Sequence, residues 1–402
     1  MSIPIIVFAV IIGCGIVKIN QSKKMSVYTS KNLKLDSHGQ KDITKKLNAF
    51  FKRNRTSRVK LVFYSGVYKI DGSIIMGSNI DIIGKNDVVL KAAGPHACIY
   101  PSFKKGYSGG IHDVTWKNIR FDGGTTKSFT TQMIHAKDII YKDCIFKEMQ
   151  PALGHVFDLD GSSSIKLFNC SFIGRGSTVS AADSYKEAIQ LDYAYYNGLS
   201  IRSYYGGLDG LPTKNVVVKN CKFLPVMKKQ KIIDYAPIPI GSHSQLKGKG
   251  ITNIEFEHNK IVSPLRPIAG GQATIDFLGV SNVTIKKNTI RYATNTAPKH
   301  AFQIRSQTYS SVLSVNREDN NLIKESVQND NITIENNKIY GEVPTENIVN
   351  VLDSTGKLTR NFVVKNNVLY TQGYLNNNYR FAQLPGTSLR EKLCNQIVMT
   401  VN

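Results

Sequence analysis

A short pattern of apolar and polar residues recurs along most of the chain. Each copy reads apolar-x-apolar-x-polar-(Cys or Asn)-x-apolar, and the copies occupy residues 139–146, 165–172, 216–223, 254–261, 283–290, 332–339 and 362–369. Apolar residues alternate with polar ones within each copy, which indicates a β-strand. Because the copies follow one another at irregular steps, they predict stacked turns of a solenoid with insertions of variable length as loops.

The sixth position of each copy predicts a turn that stacks on its neighbours. It holds, in order, Cys144, Cys170, Cys221, Asn259, Asn288, Asn337 and Asn367. Asn tolerates a left-handed backbone, and stacked Asn side chains can hydrogen-bond from one turn to the next. A cysteine fills the same inward slot as a small hydrophobic residue. We therefore interpret the three cysteines as packed thiols and not as a metal site.

The residues before the repeat predict a helix followed by strands. Ile43, Leu47, Phe50 and Phe51 share one face of the predicted helix, and Asp42 is the expected N-cap. Segments 61–68 (LVFYSGVY) and 78–84 (SNIDIIG) follow as strands.

This order of helix, strands and repeats resembles the right-handed parallel β-helix of the pectate-lyase-like superfamily, over about residues 30–371. The resemblance implies an all-β fold, a single-stranded right-handed parallel β-helix with an N-terminal capping helix. Lyases, hydrolases, epimerases, adhesins and phage tailspikes share this scaffold, so the resemblance does not identify a reaction. The adjacent Asp-Asp and Gly-His-Gly signatures of polygalacturonase-type hydrolases are absent, as is the signature around the catalytic Arg of the calcium-dependent pectate lyases.

Four segments are expected along the chain. Residues 1–24 contain an apolar run at 3–17 and are predicted to be a signal peptide or a membrane or lipid anchor, although no basic residues precede the run. The alternative is a buried strand, or an overlong start with Met25 as the true initiator. The remaining segments are the N-terminal helix and first strands (25–84), the β-helix (85–371) and a C-terminal cap or tail (372–402). The protein is therefore expected to be secreted or anchored at the cell surface.

A second strand precedes several of the repeat copies, and these strands also align with one another. Their apolar positions are predicted to point into the solenoid; they are Phe157, Leu159, Ile189, Leu191, Ile275, Phe277, Phe302, Ile304, Val349 and Val351. The alternate positions then face outward in columns. One column holds Asp158, Gln190, Asp276, Gln303 and Asn350, and the next holds Asp160, Asp192 and Arg305. His155, Glu187 and His300 lie upstream, and the pattern leaves their facing open.

Stacked outward carboxylates repel one another unless a cation, a shared proton or a substrate group offsets them, so these columns are candidates for chemistry. In a lyase, Arg305 or a Ca²⁺ ion would neutralise the carboxylate of a uronate, and His155 or His300 would remove the C5 proton. The possible calcium ligands are Asp158, Asp160 and Asp192. In a hydrolase, one of these three aspartates is the acid and another activates water or attacks. Glu187 is a further catalytic candidate, and the non-functional alternative is a solvated polar face with internal Asp–Arg and Asp–His pairs.

The long connection from 192 to 213 is rich in tyrosine. Tyr193, Tyr195 and Tyr196 are expected to bind sugar rings, together with the amide and acid side chains of the first column, unless the connection packs on itself. The predicted substrate-binding residues are therefore Gln190, Tyr193, Tyr195, Tyr196, Asp276, Gln303 and Asn350.

Composition points to an anionic partner. The 402 residues include 52 Lys and Arg against 29 Asp and Glu, a formal charge of +23. No compact nucleic-acid-binding motif appears, so no nucleic-acid partner is expected. We predict an extracellular depolymerase of an acidic, uronate-containing polysaccharide, with lyase chemistry favoured. The alternatives are a glycoside hydrolase that uses paired aspartates on the same face, and a non-catalytic glycan-binding adhesin or tailspike-like module. The oligomeric state is not predicted.

Overall fold

The computed structural model describes residues 25–150, 154–176, 187–202, 206–242, 244, 246, 250–266, 273–293, 296–306, 308–309, 325–326, 329–341, 347–353, 359–371 and 397–401. Within these residues three long parallel sheets run along the molecule, and most coils contribute one strand to each of them. The fold is a right-handed parallel β-helix with an N-terminal helix, so the predicted fold is confirmed.

Sheet A contains the strands of the sequence repeat. They are Ser26–Thr29, Val59–Phe63, Ile80–Gly84, His112–Lys117, Lys137–Lys142, Ser163–Phe168, Lys214–Lys219, Ile251–Glu257, Val280–Lys286, Asn329–Glu335 and Thr359–Lys365.

Sheet B follows sheet A after a tight turn. Its strands are His38–Asp42, Gly66–Ile70, Val88–Ala92, Arg120–Asp122, Ile145–Lys147, Ser171–Ile173, Lys222–Leu224, Lys260–Val262, Thr289–Tyr292, Lys338–Gly341, Asn367–Thr371 and Ile397–Val401. The last of these comes from the C-terminal segment and pairs with Asn367–Thr371.

Sheet C contains the strands on which the candidate chemistry lies. They are Ile74–Ile75, His96–Tyr100, Phe129–Ile134, Phe157–Asp160, Glu187–Asp192, Ile238–Gly241, Ala273–Leu278, His300–Ser306 and Asn347–Asp353. Two small antiparallel hairpins lie outside the three sheets: Val226–Lys228 with Lys231–Asp234, and Thr308–Tyr309 with Glu325–Ser326. A short 3₁₀ turn spans Tyr196–Gly198.

The turn between sheets A and B explains the repeat. The residue before each Cys or Asn adopts a positive φ, as at Asn169 (54°) and Asn220 (56°). The backbone N–H of Cys221 then donates to Oδ1 of Asn259 at 2.8 Å, and Asn259 N–H donates in the same way to Asn288 at 2.9 Å. The ladder continues through Asn337 and Asn367. Cys144, Cys170 and Cys221 are buried and unpaired by disulfides, which confirms their interpretation as packed thiols.

The interior is filled by apolar side chains from all three sheets. In sheet B, Phe121, Phe146, Phe172 and Phe223 stack coil upon coil, with ring centroids 4.7–5.3 Å apart. The inward positions predicted for sheet C all belong to this core. The predicted facing of those strands is therefore confirmed.

The N-terminal helix spans Thr44–Asn54 and buries Leu47, Phe50 and Phe51 against the first coils, as its pattern predicts. The expected N-cap is wrong by one residue. Ile43 is the N-cap, and its hydrocarbon side chain makes no capping hydrogen bond; Asp42 lies one position further out. From there Asp42 Oδ1 accepts a hydrogen bond from the Thr44 amide at 2.9 Å.

Candidate active site on the outer face of sheet C

The register of sheet C brings the predicted columns together. Asp158 pairs with Gln190 and Asp160 pairs with Asp192 on the neighbouring coil. Further along the sheet, Gln303 stands between Asp276 and Asn350. Adjacent strands are about 4.8 Å apart and residues two apart on one strand about 6.6 Å, so the three N-terminal aspartates form one compact cluster. We call Asp158, Asp160 and Asp192 the acid cluster.

The acid cluster is not exposed, and the expectation of a solvent-facing wall is wrong. Its three side chains lie on the outer face of the sheet but are fully buried. The covering chain is the connection that follows Asp192, whose described residues are 193–202 and 206–213; we call it the strap. The backbone N–H of Ser200 in the strap donates to Asp158 Oδ2 at 2.7 Å. The strap therefore closes directly over the acids.

A buried histidine fastens the far end of the strap to the solenoid. His135 Nε2 lies 2.9 Å from Asp209 Oδ1, and its Nδ1 lies 2.8 Å from Ser102 Oγ. The backbone N–H of Gly106 also donates to Asp209 Oδ2 at 2.7 Å. Burial by itself raises the pKa of Asp209, but hydrogen bonds from the Leu211 and Gly106 amides and from His135 outweigh it and hold the pKa below its ordinary value. Sequence reasoning missed this clamp, since its residues are far apart along the chain.

Asp160 is the least compensated member of the acid cluster. Neither of its carboxyl oxygens has a hydrogen-bond partner among the described residues. Burial, followed by the charges of Asp158 and Asp192, raises the pKa of Asp160 well above its ordinary value. A buried carboxyl without donors is stabilised in its neutral form, so the surroundings of Asp160 favour protonation.

Asp192 has a different environment. Its carboxylate accepts hydrogen bonds from Gln190 Nε2 at 2.6 Å, from Ser244 Oγ at 3.1 Å and from the Tyr193 amide at 2.8 Å. Burial and the charge of Asp158 still raise the pKa of Asp192, while the Tyr193 and Ser244 hydrogen bonds oppose that shift. Because hydrogen-bond donors stabilise the ionised form, the two environments favour the proton on Asp160 and the charge on Asp192.

The polar side chains at the C-terminal end of sheet C pair with one another. Arg305 Nε donates to Asp276 Oδ1 at 2.8 Å, and Gln303 Nε2 donates to Asp276 Oδ2 at 3.1 Å. Asn350 Nδ2 donates in turn to Gln303 Oε1 at 2.8 Å. We call Asp276, Gln303, Arg305 and Asn350 the paired network. Within it the Arg305 side chain is only 12% exposed and Asp276 is fully buried.

The upstream residues are also enclosed. His155 is buried, and its Nδ1 donates to the backbone carbonyl of Glu187 at 2.8 Å. His300 is buried on the strand after Asp276, and its backbone pairs with Ala273 and Asn347. Glu187 is fully buried, and its carboxyl lies over Gly241, where a Cβ would meet Glu187 Cδ at 3.5 Å. The charge of Glu187 contributes to the raised pKa of Asp192.

Two of the three predicted sugar-binding tyrosines belong to the core instead. Tyr193 and Tyr195 are buried with the apolar cluster, and the Tyr195 hydroxyl lies 3.0 Å from Ser244 Oγ. Their sugar-binding role is therefore corrected: they anchor the start of the strap. Tyr196 is half-buried and lies under the guanidinium of Arg202 at 5.0 Å.

The described residues do not form an arrangement that fits a metal ion. Across those residues no group of three His, Cys, Asp or Glu side chains is placed to hold a metal. The acid cluster consequently gives no geometric support to the calcium prediction, and no step below passes through a metal. No helix among the same residues is long and apolar enough to span a membrane. The predicted signal or anchor at 1–24 lies outside them.

The fold and its covered sheet C define a right-handed parallel β-helix protein, and the chain is similar to solved structures of this class. PfbA, a surface adhesin of Streptococcus pneumoniae, matches at a TM-score of 0.66 with 15% identity, over 89% of this chain and 82% of that chain. A second PfbA structure matches at a TM-score of 0.55 with 14% identity, over 94% of this chain and 100% of that chain. The catalytic unit of the GH87 alpha-1,3-glucanase from Streptomyces thermodiastaticus matches at a TM-score of 0.50 with 12% identity, over 94% of this chain and 68% of that chain. No family model and no curated protein matches the sequence.

Proposed function

We propose that the protein is a polysaccharide hydrolase that uses the acid cluster, with Asp160 as the general acid. The observation that carries this proposal is the contrast between two neighbouring carboxyls: Asp160 is fully buried with no hydrogen-bond donor among the described residues, whereas Asp192 accepts a hydrogen bond from the Tyr193 amide at 2.8 Å. Glycoside hydrolysis needs two carboxyl groups in opposite protonation states, and their environments set those states. The acid cluster supplies such a pair on neighbouring strands.

The proposed step places a proton and a nucleophile on opposite sides of one bond. Asp160 donates its proton to the glycosidic oxygen, that bond breaks, and the leaving sugar departs as an alcohol. Asp192 attacks the anomeric carbon, and water, deprotonated by Asp160, then releases the sugar. Strands about 4.8 Å apart bring the two carboxyls close to the roughly 5–5.5 Å separation of retaining enzymes. Retention of anomeric configuration is therefore expected.

The geometry gives less support to lyase chemistry. That mechanism assigns Arg305 to the carboxylate of the uronate, but Arg305 already donates to buried Asp276 at 2.8 Å. It assigns the base to His155 or His300, and His155 uses Nδ1 on a backbone carbonyl. The hydrolytic alternative requires only residues of the acid cluster.

Substrate access requires the strap to move, because all three acids are buried and the strap contacts Asp158 and Asp192 directly. Connections over an active site commonly close it against water, and their movement frequently limits turnover. The His135–Asp209 clamp and the Ser200–Asp158 hydrogen bond are the contacts that opening must break.

An acidic extracellular polysaccharide is the proposed substrate. The formal charge of +23 favours polyanions, and proteins of similar fold include an alpha-1,3-glucanase and a surface adhesin. The signal or anchor prediction for residues 1–24 agrees with a secreted or surface location, which remains part of the proposal.

The test is an activity screen on acidic and neutral polysaccharides, in which reducing ends and the ultraviolet absorbance of unsaturated uronate products are followed together. We expect reducing ends without that absorbance. Asp160→Asn should lower the rate by about 10²–10⁴-fold, the usual contribution of a general acid. Asp138→Asn, which changes an exposed carboxylate on sheet A, is the matched control and should be silent. Growth of the absorbance would establish the lyase instead, and full activity of Asp160→Asn would refute the role of Asp160.

A non-catalytic glycan-binding protein is the second candidate. The complete burial of the acid cluster favours it, since an adhesin has no need for accessible acids. Binding without any release of reducing ends across the screen would select this candidate.

A further inference from the structure

The outer face of sheet B carries a row of unpaired lysines on its C-terminal coils. Lys222 and Lys260 occupy directly paired positions on neighbouring strands. The row continues through Thr289 to Lys338. All three lysines are exposed, and none forms a salt bridge within the described part of the chain.

A second row runs parallel to the first, two residues further along each strand. Val262, Arg291, Tyr340 and Tyr370 succeed one another in register. The rings of Tyr340 and Tyr370 are stacked with centroids 4.4 Å apart and planes 5° from parallel. The guanidinium of Arg291 lies 5.0 Å from the Tyr340 ring. Both tyrosines are half-buried, so each keeps an accessible edge beside the lysine row.

Lysines on the same coils of sheet A are arranged differently. Lys286 lies 2.9 Å from Glu257, which also lies 3.7 Å from Lys219. Lys365 lies 3.1 Å from Glu335. These three lysines of sheet A are therefore neutralised locally, whereas the lysine row of sheet B lies beside an aromatic row without an acidic partner among the described residues.

We propose that this face of sheet B, from Lys222 to Tyr370, binds an extended acidic polysaccharide that runs along the solenoid axis. The lysines, spaced by multiples of about 4.8 Å, attract the carboxylate or sulfate groups of the chain, and the Tyr340–Tyr370–Arg291 row contacts the sugar rings. Charge complementarity selects a polyanion over a neutral glycan. The surface lies on a different sheet from the acid cluster, so this proposal does not depend on catalysis.

The experiment measures retention of the full chain on immobilised polygalacturonate and on dextran sulfate, with neutral dextran as the blank. All proteins carry Asp160→Asn, so that no probe is cut if the proposed hydrolysis exists. The test variant is Lys222→Gln/Lys260→Gln/Lys338→Gln. Its matched control is Lys117→Gln/Lys142→Gln/Lys166→Gln, which removes the same charge from exposed positions on sheet A. A second test variant, Tyr340→Ala/Tyr370→Ala, changes no charge, and thermal unfolding verifies that each variant is folded.

We expect the sheet B triple variant to lose at least about tenfold in affinity for one or both polyanions, while the sheet A control loses much less. The tyrosine variant should lose affinity without a change in salt dependence. Equal losses in the two triple variants would assign binding to net charge alone and overturn the proposal. Absence of retention of the parent protein on both polyanions would also overturn it, whatever the outcome of the hydrolysis screen.

Discussion

The middle and the C-terminal end of sheet C use the same kinds of side chain in opposite ways. At the C-terminal end, Arg305 and Gln303 donate to Asp276, so each charge is offset where it stands. In the middle of the sheet, Asp158, Asp160 and Asp192 are buried side by side, and neither carboxyl oxygen of Asp160 has a hydrogen-bond donor among the described residues. A buried carboxyl without compensation costs folding free energy.

The difference separates a stabilising network from a candidate reactive one. Paired charges hold the last coils of the sheet together. At the acid cluster, burial and the neighbouring acids raise the pKa of Asp160 well above its ordinary value, which is the direction that acid catalysis needs. Strained electrostatics concentrate at functional sites, so the acid cluster is the part of the sheet to which we assign chemistry.

The largest stability loss is expected in the paired network. Arg305→Leu leaves Asp276 buried without its cation and should lower the free energy of unfolding by about 3–5 kcal/mol. Chemical denaturation measures this loss. Arg58→Leu, which breaks an exposed pair with Asp81, is the control and should cost about 1 kcal/mol or less. Similar losses in the two variants would show that the buried pair of the paired network stabilises the fold no more than an exposed pair does.

The core beneath the acid cluster should behave like any other core. Leu191→Ala removes a fully buried side chain of the apolar cluster and should cost about 2–5 kcal/mol. Asp158→Asn, on the outer face of the same sheet, should keep the fold, because the Asn side chain retains an oxygen that accepts the hydrogen bond of the Ser200 amide. Unfolding by Asp158→Asn with a silent Leu191→Ala would mean that the facing of these strands is inverted.

A smaller gain is expected at the acid cluster. Asp160→Asn replaces an uncompensated acid with a neutral amide and should raise the free energy of unfolding by about 0.5–2 kcal/mol at neutral pH, while activity falls. The same denaturation curves measure it. A lower free energy of unfolding for Asp160→Asn would show that the Asp160 carboxyl stabilises the fold, and would contradict the expectation that it destabilises it.

The gain should also depend on pH. Folding raises the pKa of Asp160. Below the pKa that Asp160 has in the unfolded chain, its neutral form is compatible with the native state at no cost. As pH rises through the pKa of the folded state, that contribution to stability is lost. The advantage of Asp160→Asn should therefore be smallest near about pH 4 and grow toward neutrality. The stability contributed by Asp209 changes with pH in the opposite direction. Its pKa is lowered in the folded protein, so its contribution to the clamp is lost as the pH falls. A pH-independent difference between Asp160→Asn and the parent would contradict the assignment.

The repeat made the fold predictable from sequence. Alternation at 139–146 and its copies is a local signal, and one residue per turn, such as Asn259, determines both the turn and the ladder. The same alternation predicted that Asp160 and Asp192 are neighbours, because the register of a parallel sheet follows from its apolar positions. The two residues are indeed paired on adjacent strands.

The cover over the acids was not predictable in this way. The strap is fastened by contacts such as Gly106 N–H to Asp209, which join residues 103 positions apart and leave no periodic signal. Tyrosines in the strap look alike in sequence, yet Tyr195 packs in the core and Tyr196 meets Arg202. Whether a loop tyrosine is buried depends on the path of the connection over the sheet. The apolar pattern of a single strand does not predict that path.

The protonation state of Asp160 tests the account most directly. Carbon-13 NMR of labelled aspartate, with the Asp160 signal assigned by its absence in Asp160→Asn, gives the titration midpoint of that one carboxyl. We expect Asp160 to remain protonated at about pH 5, above the ordinary aspartate pKa of about 3.9. A midpoint at or below the ordinary value would show that the carboxyl is ionised in the folded protein and would remove the general acid from the proposed reaction.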